Sequence, residues 1–118
     1  LKRLFILDDD EDILDILQHI LCDTYELRFK KDAVDVVASI IDFRPDLILM
    51  DNFLGTTNAS EVMSRLSAQG TGLSVPIVLF SASPNIEDTA KKLGLQGFIQ
   101  KPSSIKEIRS YIREMLVN

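Results

Sequence analysis

Residues 47–51 read Leu-Ile-Leu-Met-Asp, four apolar residues in a row and then an acid, introduced by the helix-breaking pair Pro45-Asp46. A run so short and so uniformly apolar reads as a strand buried on both faces, the habit of parallel sheets, with Asp51 at its carboxyl tip. The pattern recurs along the chain. Leu4 to Leu7 ends on Asp8 and Asp9, and Ile77 to Phe80, opened by Pro76, ends on Ser81, Ala82 and Ser83. Gly97 to Ile99 leads to Lys101 and Pro102, and Tyr25 to Phe29 alternates in character as a further strand.

Between these runs the apolar residues take helical spacing. Ile13, Leu14, Ile16, Leu17, Ile20 and Leu21 share one face, with Asp12, Asp15 and His19 opposite and Asp10 as N-cap. Asp32 is the expected N-cap of a second helix through Ala33, Val34, Val36, Val37, Ile40 and Ile41. A polar stretch, Gly55 to Ser60, leads into a third helix with Val62, Met63 and Leu66, Gly70 after its end and a loop through Gly72. Pro84 suits the first turn of a fourth helix with Ile86, Ala90 and Leu93, closed by Gly94. Ser104 and Glu107 make a capping-box pattern ahead of Ile108, Ile112 and Met115. Five strands alternating with five helices imply a doubly wound α/β fold, a parallel sheet with helices on both faces joined by right-handed crossovers. Ligands in such sheets bind at the carboxyl ends of the strands.

The 118 residues suit one domain, 1–118, with 46% hydrophobic and 26% charged residues. Thirteen basic residues against eighteen acidic ones, a formal charge of −5, argue against nucleic-acid contact. Cys22 is the only cysteine, which excludes an internal disulfide and a thiolate cluster and predicts a reducing cytoplasm. No apolar run approaches the ~20 residues of a membrane helix. Cys22 reads as an inert structural thiol and His19 as a solvated histidine. The chain opens on Leu1 rather than Met, which leaves room for a neighbouring domain in a parent protein.

Asp8, Asp9, Asp51, Ser81 and Lys101 all stand at strand ends and share one edge of the sheet. If the first and third strands are neighbours, three carboxylates converge, and two of them about 4 Å apart repel by about 4 kcal/mol at an effective dielectric near 20. A cation must offset this. Magnesium takes few carboxylates, keeps waters and leaves room for phosphate oxygens.

With LFILDDDED at 4–12, LILMD at 47–51, VLFSAS at 78–83 and GFIQKP at 97–102, the chain resembles the receiver domains of two-component signalling over essentially its whole length. The resemblance implies a flavodoxin-like, CheY-like (βα)5 fold with strand order 2-1-3-4-5. It implies a signalling domain rather than an enzyme in the usual sense, one that catalyses its own phosphoryl transfer and autodephosphorylation. Asp51 would be the nucleophile toward a partner's phosphohistidine. Asp9 would bind Mg2+ directly, Asp8 largely through water, and Phe53 through its backbone carbonyl. Lys101 and Ser81 would hold phosphoryl oxygens, with the backbone N–H groups of Asn52 and Ala82 on the rest. Ser81 and Phe98 would form the switch, and the Lys101–Pro102 bond would be cis. The implied partners are a sensor histidine kinase or histidine phosphotransfer protein, and an output domain or a second copy docking through the last two helices and strand five.

The family often carries methionine-proline after the acceptor and later a small acidic or hydroxyl residue with glycine. This chain has Leu54, Gly55, Asn58 and Ala59, which predicts a more mobile loop. Two other functions remain open on sequence. A haloacid-dehalogenase type phosphatase would use Asp8 as nucleophile with Asp10, and a pseudo-receiver would bind partners without phosphorylation. A flavodoxin-like cofactor binder lacks its phosphate loop after strand one.

Overall fold

Arg3–Leu7 forms β1, Glu26–Lys30 β2 and Leu47–Met50 β3; Phe53–Leu54 and Thr57–Asn58 form β4 and β5; Ile77–Ser81 is β6 and Gly97–Gln100 β7. The helices are α1 Glu11–Leu21, α2 Val36–Phe43, α3 Ala59–Ala68, α4 Ile86–Lys92 and α5 Ile105–Leu116. These come from a computed structural model that describes residues 1–68 and 75–116; the expected Gly70 helix end and Gly72 loop lie outside the described residues. The main sheet is parallel in the order β2-β1-β3-β6-β7, which is 2-1-3-4-5 when its own strands are counted. The expected doubly wound architecture is present.

Because side chains alternate along a strand, each strand feeds both faces. Phe5, Leu7, Ile48, Met50, Ile77 and Leu79 pack toward α2, α3 and α4. Leu4, Ile6, Leu47, Leu49, Val78 and Phe80 pack toward α1 and α5. All of β3 is buried, which is why its sequence shows no alternation. Asp10 caps α1 as expected, its carboxylate accepting from the N–H groups of Asp12 and Ile13. Ser104 Oγ accepts from the Glu107 N–H at 3.1 Å, one half of the capping box. Among the described residues no helix is long and apolar enough to cross a membrane.

Several local expectations need correction. Asp32 does not cap α2: its carboxylate accepts from the Val34 N–H at 3.0 Å, closing a tight turn two residues too early. The helix starts at Val36 after Asp35, whose φ of 52° is left-handed and whose side chain makes no cap bond. Val34 is therefore left exposed. Pro84 precedes α4 rather than opening it, because the Ile86 N–H first bonds the Ser83 carbonyl in a turn. Ile16 lies at the rim of the apolar face of α1 and Ile41 at that of α2, and both are exposed. Cys22 is not a packed structural thiol but an exposed residue at the C-cap of α1. His19 is exposed, as expected.

The stretch after Asp51, expected to be loose, is an antiparallel ribbon of β4 and β5 pairing Phe53 with Asn58 and Leu54 with Thr57. Leu54 is 2% exposed and anchors the ribbon in the core. Asn58 caps the start of α3, its side-chain oxygen accepting from the Glu61 N–H at 3.0 Å.

On the outer strand β7, Gly97 lies under Tyr111 of α5. A methyl group on Gly97 would collide with the Tyr111 hydroxyl and stand 3.2 Å from its Cζ. Gly97→Ala is expected to lower stability by about 1–3 kcal/mol in urea unfolding, as overpacking does, with a smaller loss in a Tyr111→Phe background.

Candidate functional site

The sheet ladder runs on past the strands and sets the site. The Asp51 N–H donates to the Leu7 carbonyl at 2.8 Å, the Asp8 N–H to Lys30 O at 3.0 Å, and the Lys101 N–H to Ser81 O at 2.9 Å. Asp51 is thereby held beside Asp8, and Lys101 beside Ser81. The Lys101–Pro102 peptide bond is cis.

Asp8 is wholly buried, and both of its oxygens are engaged: Oδ2 lies 2.8 Å from Lys101 Nζ, and Oδ1 accepts the Asp10 N–H at 3.0 Å. The same ammonium lies 3.5 Å from Asp51 Oδ2 and 4.8 Å from the centre of the Phe80 ring. A buried carboxylate without such a partner would cost several kcal/mol (on the order of 3–5). Asp9 is exposed, and Asp8, Asp9 and Asp51 can each present an oxygen within 4.8 Å of the others. Three carboxylates against one ammonium leave an excess of negative charge on hard oxygen donors, a set that fits a hard divalent cation and could hold one.

Burial pushes the Asp51 carboxyl above its ordinary range. The Lys101 charge pulls it down, the Asp8 charge raises it, and the backbone N–H groups of Asn52 and Phe53 lower it by bonding the carboxylate.

Ser81 is 2% exposed and closes β6, its Oγ accepting the Ser83 N–H at 3.3 Å, while Ala82 is exposed. Ser81 pairs in register with Gln100, so Phe98, two residues earlier, projects to the same face of the sheet. Phe98 is half-buried against the cluster that includes Leu79. The side chain of Phe53 is 60% exposed beside the acids.

Two participants were not read from sequence. Phe80 looked like strand core, and its ring lies under the lysine only because β6 and β7 are adjacent. Gly55 looked like the start of a polar stretch, yet its N–H donates to Asp9 Oδ2 at 3.1 Å. A glycine opening a two-residue turn between short pairable segments was the available signal.

The family model for the response regulator receiver domain matches residues 4–113. The chain belongs to the response regulator receiver domain family. Receiver domains of response regulators act in phosphorylation-dependent signalling in two-component systems, as signalling domains. This receiver domain is 26% identical over 117 residues to response regulator MprA of Mycobacterium tuberculosis, covering 97% of this chain and 50% of that protein. It is 28% identical over 118 residues to the DNA-binding response regulator MtrA of Mycolicibacterium paratuberculosis, covering 98% and 51%. The chain therefore spans about half the length of the curated relatives it matches. Among solved structures, the N-terminal domain of the nisin resistance regulator NsrR, a lantibiotic response regulator, is 30% identical with a TM-score of 0.86, covering 98% of each chain. Chemotaxis protein CheY4 of Vibrio cholerae shares the fold at 22% identity, with a TM-score of 0.85 and 98% and 99% coverage.

A carboxyl whose folded pKa is raised stabilises the receiver below its unfolded value, near 3.9, and that contribution is lost as pH rises through the folded value. In metal-free buffer Asp51→Asn is therefore expected to unfold at higher urea than the parent at pH 7. The gap should close as pH falls below the ordinary aspartate range.

Proposed function

We propose that residues 1–118 form one phosphorylation-switched receiver unit in which Asp51 accepts a phosphoryl group from a partner phosphohistidine. The observation that carries this reading is Lys101 Nζ seated between Asp8 and Asp51, at 2.8 and 3.5 Å, with Asp9 completing an acidic cluster at the carboxyl edge of the sheet.

A carboxylate oxygen of Asp51 attacks phosphorus, the P–N bond breaks, and the imidazole of the donor keeps the electron pair and takes a proton. The product is a mixed anhydride, labile enough to be cut by water as a reversible signal requires. Asp9, Asp51 and the Phe53 carbonyl would hold Mg2+, with Asp8 acting through water because Lys101 and the Asp10 N–H engage both of its oxygens. Mg2+ supplies neutralisation of charge on the transferring phosphoryl oxygens. Lys101 needs only a short swing from Asp51 Oδ2 to reach a phosphoryl oxygen. The Ser81 hydroxyl and the N–H groups of Asn52 and Ala82 take the others.

The donor is a sensor histidine kinase or a histidine phosphotransfer protein in a reducing cytoplasm. Drawing Ser81 toward the phosphoryl group vacates volume on the face it shares with Phe98, which turns further inward. That change alters the surface of α4, β7 and α5, where an output domain or a second copy would dock.

With acetyl phosphate and Mg2+, intact mass is expected to show one added phosphoryl group on the parent and none on Asp51→Asn. Equal incorporation in the variant would refute the assignment. Hydrogen exchange with and without beryllofluoride is expected to change at Ser81 and across Phe98. Changes confined to residues 51–58 would rule out the proposed coupling.

A further inference from the structure

A hydrogen bond from the Gly55 N–H to Asp9 Oδ2 at 3.1 Å links the β4–β5 ribbon to the loop that follows β1. Gly55 has a φ of 67°, the left-handed region that glycine enters without strain. It stands at the first position of the two-residue turn between Leu54 and Thr57. Both arms of the ribbon are anchored, one by buried Leu54 and the other by Asn58 at the start of α3. The amide is therefore presented by a braced turn. Phe53 lies two residues before it on the same arm, and Asp51 two residues before that, so the bond closes a ring of chain from Asp51 through Phe53 and Gly55 back to Asp9. Among the described residues Asp9 makes no other hydrogen bond or ion pair. The methionine-proline pair expected after the acceptor would place a proline here, with no N–H to give.

We infer that Gly55 is a positioning residue for the cation site: its N–H holds the Asp9 carboxylate through Oδ2, leaves Oδ1 for the cation, and ties the Phe53 carbonyl to the same frame. This rests on the Mg2+ reading above only for its consequence, since the bond itself needs no metal.

NMR-detected amide exchange on the metal-free, unphosphorylated chain tests the bond. Gly55 is expected to exchange about tenfold faster in Asp9→Ala and to keep its protection in Asp9→Asn, whose amide oxygen still accepts. A Gly55 rate unchanged by Asp9→Ala would overturn the inference whatever the fate of the phosphorylation reading. Calorimetric Mg2+ titration tests the consequence. Replacing the Leu54–Gly55 amide by an ester (glycolate at position 55, introduced by semisynthesis), which removes the N–H and leaves the positive φ accessible, is expected to weaken binding about tenfold, as loss of a supporting hydrogen bond to a ligand does. In an Asp9→Ala background the same change is expected to cost nothing further; an equal loss in both backgrounds would show that Gly55 does not act through Asp9.

Discussion

The Lys101 ammonium is the charge on which the acidic edge of this sheet depends. Asp8 has no exposure to water, and its carboxylate is tolerable because Lys101 and the Asp10 N–H satisfy it. The flat face of Phe80 beneath the same ammonium adds a further attraction. Asp51 has its pKa raised by burial, and the same ammonium, 3.5 Å away, offsets that rise only in part. One cation thus produces two unlike carboxylates, a fully engaged one and one with capacity to spare.

That division follows from the sheet. Parallel strands deliver their carboxyl ends to one edge, and with β1 beside β3 the backbone bond from Asp51 to Leu7 brings the acids together before any side chain chooses a rotamer. The two faces then have separate duties. The α2, α3 and α4 side holds Phe98 and the anchored ribbon, and the α1 and α5 side is fastened by Arg109, whose guanidinium donates to the Ile20 carbonyl at 3.1 Å.

The strand tips were legible because buried parallel strands leave an unbroken apolar signature, and Asp8, Asp9, Asp51, Ser81 and Lys101 each follow one. The capping of α1 by Asp10 was legible for the same reason, being a local bond. Where two local bonds compete, sequence does not choose between them: Asp32 could cap a helix or close a turn, and it closes the turn. The ribbon at Phe53–Asn58 was missed because two-residue arms carry too little pattern for a period to emerge. Ile16 and Ile41 were placed inside by spacing alone, and how wide a strip of helix the sheet covers is decided by packing.

The outer strands have a consequence for how such sheets meet one another. β2 shows Glu26, Arg28 and Lys30 at alternate positions, each paired with an opposite charge, to Arg3, Asp42 and Asp32. At the other margin Tyr111 lies over Gly97, its phenol pushed up by burial against the hydrogen bond it receives from the Phe98 backbone, with the Glu114 charge adding to the rise. An incoming strand would have to strip paired charges from one margin or lift a seated ring from the other. Both margins of the sheet thus carry features that disfavour an added strand, so its apolar inner strands lie behind edges poorly suited to act as a template for fibre.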